Sequence, residues 1–342
     1  MLKYPNLTIL QGKNMIKTII KSSLALSIAA SAAFALPASH FNVIDGDQEE
    51  KYEAKFLPSL EDATGFSLSD PHEKIDDAYK ARYGNPEDPD YDKDWTTNLD
   101  NLGFFSISND VALKPILESS PQAAGFQPFN LHIYKTKAEN VTYIGHLAPE
   151  TMLDVTGVTN EADRKAYVDM FKPLDAYVTK EFGGKIINTT FDKLPAKPMM
   201  TFEFEVDRSG DIVEWAETFQ EEFEAAFEEK HYIIAGFKNF VETYEDLETP
   251  MKGYDQFFVY GLCHFTFSYN VFNKGRPDAG VFAPCAMYFY IKEGSNKMVV
   301  GMPRLAVWAA VMEIKDPVKL EWIKKIDDEI VGIMKGLGAK EI

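Results

Sequence analysis

The sequence predicts an α+β protein of two tandem related modules, each a two-layer α/β sandwich with helices on one face of a mostly antiparallel sheet. Three observations predict it. A block of residues recurs at an offset of 156 positions, several segments alternate with the period-two pattern of half-buried strands, and a long helical stripe follows each block at a matching distance.

The N-terminal segment stands apart from this pattern. Residues 1–35 hold four lysines and no acid. Lys17 and Lys21 flank a short basic region, 24–34 is an apolar run rich in Ala and Leu, and Ala33-Phe34-Ala35 has the small-x-small form of a signal-peptidase site. The apolar run is too short for an ordinary spanning helix, and nothing later offers 18 apolar residues in a row, so no transmembrane segment is expected after signal removal. A cleavable signal peptide over 1–35 is therefore expected, with Met15 a better start than Met1 and the mature protein exported to the periplasm. No cysteine follows the cleavage site to carry a lipid.

Without those four lysines, 31 basic residues face 53 acidic ones, a formal charge of −22. Such a field repels phosphate backbones and anionic lipid, so nucleic-acid binding is not expected. Solubility is sufficient reason for the acids.

The first module is assigned to 36–198. Its start is irregular: 73–83 suits a helix, 84–94 is an acidic loop with two prolines and a glycine, and 104–108 suits a strand. Residues 127–135 and 140–145 form the first copy of the repeated block, and the helical pattern 161–182 ends at Gly183-Gly184. Two prolines in 194–198 mark the linker.

The second module, 199–342, has clearer patterns. Thr201 to Val206 alternates as a strand. Asp211 then opens a helix whose stripe is Trp215, Phe219, Phe223, Ala226 and Phe227. Strands are predicted over 232–241 and 257–269, the latter placing Cys263, Phe265, Phe267 and Tyr269 on one face and His264, Thr266 and Ser268 on the other. A loop with Gly275, Pro277 and Gly280 leads to a hairpin of 285–291 and 297–302, turning at Glu293-Gly294-Ser295-Asn296. The last helix has Asp316 as its N-cap, Pro317 at its first position, and Trp322, Ile323, Ile326, Ile330, Ile333, Met334 and Leu337 as its buried stripe. The repeat pairs Pro128 with Pro284, Tyr134 with Tyr290, Asn140 with Asn296 and Gly145 with Gly301.

The block 261–301, with Pro284-Cys285 entering a strand and a hairpin returning, resembles the bacterial family catalogued as domain of unknown function 302. The preceding helix over 211–230 and the run Ile233-Ile234-Ala235-Gly236-Phe237 share the resemblance, and 104–145 carries it more weakly. It implies a small two-layer α/β fold in two tandem copies and transfers no catalytic residue.

Chemistry-bearing residues are few. Cys263 and Cys285 are the only cysteines, and export would place them in an oxidising compartment. Paired across a wide hairpin centred on Lys274 they could be bridged; the alternatives are two inert buried thiols, or a redox, thiol-transfer or metal role without the CxxC spacing. Cys263, His264, Cys285, Met287, Met298 and Met302 are the weak candidates for a soft metal, and His264 or His132 with a methionine for noncovalent haem. Core packing explains the same residues. Asp88, Asp90, Asp92 and Asp94 alternate as in a calcium loop, but Lys93 stands where glycine is required and Leu99 where glutamate is, so an EF-hand is excluded. Arg276 and Arg304 are candidate anion-binding residues, with local salt bridges as the plainer explanation. No dinucleotide fingerprint, P-loop, GxSxG or HExxH occurs. The cofactor and any reaction are left unassigned. A protein binding a small ligand or partner, a thiol/redox or copper- or haem-associated protein, and a structural or assembly protein are the readings to be weighed.

Overall fold

The computed structural model describes residues 35–342, so the expected signal peptide, apart from Ala35, lies outside the described residues. Residues 36–342 form one compact unit containing two separate sheets.

The first sheet is built from β1 (Leu36–Asp45), β2 (Ser67–His72), β3 (Leu99–Ser108), the two-residue β4 (Phe129–Asn130), β5 (His132–Thr136), β6 (Val141–Leu147) and β7 (Lys185–Phe191). Between them run a broken helical stretch over 49–64 and helices α1 (Ile75–Tyr83), α2 (Asp110–Ser119), α3 (Pro149–Thr156) and α4 (Glu161–Phe182). The second sheet contains β8 (Met199–Glu205), β9 (Tyr232–Asn239), β10 (Tyr254–His264), β11 (Cys285–Lys292), β12 (Lys297–Pro303) and β13 (Lys340–Glu341). Its helices are α5 (Ile212–Glu228), α6 (Phe240–Asp246), α7 (Ala306–Val311) and α8 (Pro317–Gly336).

Both sheets are antiparallel and have one topology. The order β2-β3-β5-β6-β1-β7 of the first is matched by β9-β10-β11-β12-β8-β13 of the second. The offset of 156 relates β6 to β12, the start of α4 to the start of α8, and the 3₁₀ turn Pro121–Phe126 to Pro277–Phe282. Gln127–Pro128 and Ala283–Pro284 are both cis.

Local chemistry explains where the long helices start. Asn160, Asp211 and Asp316 each accept hydrogen bonds from the next turn's backbone N–H groups, as N-caps must when those donors have no intrahelical partner. The α5 stripe buries Phe219, Phe223 and Phe227, with Phe223 edge-on to Phe289 of β11 at 5.0 Å. On α8, Ile323, Ile326, Ile330, Ile333 and Met334 are buried as predicted, while Trp322 and Leu337 are only half-buried.

One strand differs from expectation. β10 ends at His264, and 265–273 curls into a short helical turn. His264 itself ends the strand, because its Nδ1 accepts the Phe267 N–H at 3.3 Å and so caps that turn. The alternating aromatics point around the turn instead of along a pleat: Phe265 meets Tyr79 of α1 at 5.1 Å, and Phe267 meets Trp308 of α7 at 5.4 Å.

Each module's turn reaches the other. Asn130 donates to the Gly280 carbonyl at 2.7 Å, and Gly125 packs beside Met199 and Pro303. Lys238 of β9 crosses to Asp110 at 2.8 Å and Ser108 at 2.9 Å, a largely buried ion pair.

Candidate functional site

The cysteines lie on neighbouring strands but out of register. Cys285 faces Leu262 across the β10–β11 ladder and Cys263 is the next residue along, so the one-residue difference turns the two side chains to opposite faces. The symmetric hairpin about Lys274 that would oppose them does not form, and both thiols are free. Burial pushes the Cys263 thiol up to about 11 despite the Ser268 hydroxyl beside it, and burial followed by the neighbouring Cys263 raises Cys285 further. A reactive thiolate needs the opposite shift. Cys263 faces a 70 Å³ apolar cavity between the modules, with His72, Ile75 and Phe104 on one side and Ile233, Phe265 and Pro284 on the other.

His264 is engaged as a cap, with its Nε2 4.0 Å from Glu329 of α8 and its ring edge-on to Tyr232 at 4.9 Å. Burial lowers its pKa, and Glu329 opposes that shift. Met287, Met298 and Met302 are buried in the core. Among the described residues no group of three or more His, Cys, Asp or Glu is placed to hold a metal ion.

His132 lies at the junction of the modules. Its Nδ1 is 3.0 Å from the Gly103 carbonyl and its Nε2 2.8 Å from the Pro277 carbonyl, and the ring is fully buried. Burial takes its pKa down to about 4, against the pull of the two carbonyls. A neutral ring carries one N–H, so one of those carbonyls faces a lone pair.

Both arginines have structural partners. Arg276 makes a two-pronged pair with Asp278, at 2.9 and 2.8 Å, and donates to the Met312 carbonyl. Arg304 ties the Met199 carbonyl to Glu341. In the acidic loop, Asp88 and Asp92 accept backbone N–H groups two residues on, Asp90 pairs with Arg82, and Asp92 also accepts from Tyr269.

A polar cluster outside the sequence candidates lies beneath α4. His146 of β6 donates through Nε2 to Asp175 at 2.8 Å, and its ring stacks with His40 of β1, whose Nδ1 meets Asn188 of β7. Burial alone would raise the Asp175 carboxyl, but the His146 bond and the two imidazoles hold it below its usual range. Period-two spacing places His40 and Asn42 on one strand face, yet only the register brings His146 opposite His40.

Two open concavities border α5. A 440 Å³ opening beside the start of α5 is lined by Phe204, Trp215 and Phe219 with Glu205, Asp207, Asp211, Glu214 and Glu222, and reaches Leu337. A second, of 460 Å³, is lined by Ala226, Lys230, Glu329, Gly332, Ile333 and Gly336 and also reaches Leu337. A Cβ built on Gly332 or Gly336 would touch nothing within 4 Å. In the first module the corresponding space between 49–64 and α4 is filled: Phe56 stacks on Tyr177 at 4.9 Å and packs on Phe182 at 5.2 Å, with Tyr52 beside them. Sequence periodicity registered Trp215 and Leu337 only as parts of core stripes, because it cannot show that two stripes stand apart.

No protein-family model matches the chain, and no curated protein matches it. Among solved structures it is similar to an uncharacterised conserved protein, DUF302, from Bacillus stearothermophilus, at 16% identity and a TM-score of 0.32, over 40% of this chain and 95% of that one.

Proposed function

We propose that the chain is an exported binding protein made of two copies of one module, 36–198 and 199–342, with its ligand site in the concavity beside the start of α5 in the second copy. One observation carries the reading: two topologically equivalent places differ, the first plugged by the chain's own aromatic rings and the second left open at a volume suited to a small ligand. The matching strand orders support the two copies. The basic, apolar and small-x-small succession of residues 17–35 supports export.

The cleft's chemistry favours an organic cation with an apolar body. Trp215 offers an indole to a cation, the surrounding carboxylates set a negative potential, and Phe204, Phe219 and Leu337 supply the apolar wall. Titration calorimetry with hexyltrimethylammonium is expected to give one site that weakens as salt is added, with hexanoate giving no heat. Trp215→Ala is expected to weaken the cation at least tenfold. No heat with millimolar cation, or unchanged affinity in the Trp215 variant, would remove the cleft as the site.

A further inference from the structure

The two sheets present four edge strands, and three are protected. β2 and β9 face each other across the modules, where His72 Nε2 lies 2.6 Å from the Ala235 carbonyl. β13 is two residues long, both charged, and Glu341 is held by Arg304 and Lys335. β7 has none of these devices, although α7 comes into contact with the strand. It is seven residues long, contains no proline and a single charge, and pairs only with β1. Lys185, Ile186, Asn188, Thr189 and Thr190 are exposed, Ile186 by 45%. Among the described residues its outer edge meets no hydrogen-bonding partner. Long, uncharged edges of this kind are templates for another strand, which is why folded chains normally blunt them.

We propose that β7 pairs antiparallel with β7 of a second copy, joining two first-module sheets into one. The strand's own composition selects a second copy as the occupant. In a chain with 53 acidic residues against 35 basic, β7 carries no acid, so two copies can approach there without bringing carboxylates together. Pairing about Asn188 is self-complementary, as a twofold interface must be. Ile186 falls opposite Thr190 and Ile187 opposite Thr189, both β-branched pairs. The two Lys185 side chains then lie at opposite ends of the ladder, about 20 Å apart.

Sedimentation equilibrium of the protein is expected to show a concentration-dependent dimer. The double variant Ile186→Lys with Thr190→Lys sets like charges opposite each other and is expected to raise the dimer dissociation constant at least tenfold, as is Ile186→Glu with Thr190→Glu. An equimolar mixture of the two variants should dimerise again, because every lysine then faces a glutamate. Circular dichroism and melting of each variant verify that the fold survives. A wild-type monomer at all concentrations, a dimer indifferent to the lysine pair, or no association in the mixture overturns the proposal.

Discussion

His132 shows what one side chain costs a junction. Its carbonyl partners come from different modules, Gly103 from β3 and Pro277 from the turn of the second, so the ring belongs to the contact as much as to its strand. With the folded pKa near 4 against an ordinary 6.5, the unfolded chain binds the proton more readily throughout that interval. The stability gained by keeping the ring neutral is complete above pH 6.5 and is lost as the pH falls towards 4, about 3 kcal/mol in all. Denaturant melts from pH 7 to 4 are expected to show that decline and to flatten over the same window in His132→Gln. An equal slope in the variant would assign the decline to other groups, of which Asp175, held low by His146, titrates in the same sense at lower pH.

Helix α8 carries two features of different origin. Its buried stripe answers to the core, and its exposed Gly332 and Gly336 answer to nothing in the fold, since a methyl group at either would meet open space. Glycine in a helix interior loses about 0.5–1 kcal/mol to alanine, so Gly332→Ala is expected to stabilise the protein by that amount, read as a rise in melting temperature. A loss of stability would mean that the cleft closes in solution. The helices α5 and α8 were legible in the sequence because cap and stripe agree. The end of β10 was not: Phe265, Phe267 and Tyr269 alternate like a strand, and only the capping bond of His264 with the rings of Tyr79 and Trp308 makes a turn of them. The start of the first module was obscure for a related reason, as 49–64 passes through α, π and 3₁₀ geometry and shows no single period.

At the scale of the molecule, the α+β layering with two antiparallel sheets could be predicted from residue patterns, whereas the candidate site could not. Cleft, thiol register and the His40–His146 pair all depend on which elements become neighbours, and hydrophobic periodicity holds no record of that. The same neighbours decide how the halves depend on each other. The turn Pro277–Phe282 lies against Phe104 and His132 of the first sheet, and Pro121–Phe126 lies beside the second, where Phe126 and Phe282 come within 6.3 Å. Neither half can be peeled away without baring apolar sheet and stranding Asp110 and Lys238. The reciprocal grip means that the peptide joining β7 to β8 adds little to cohesion. A protease nick between Phe191 and Met199 should leave two fragments that co-migrate under native conditions, melt in a single transition, and separate only in denaturant.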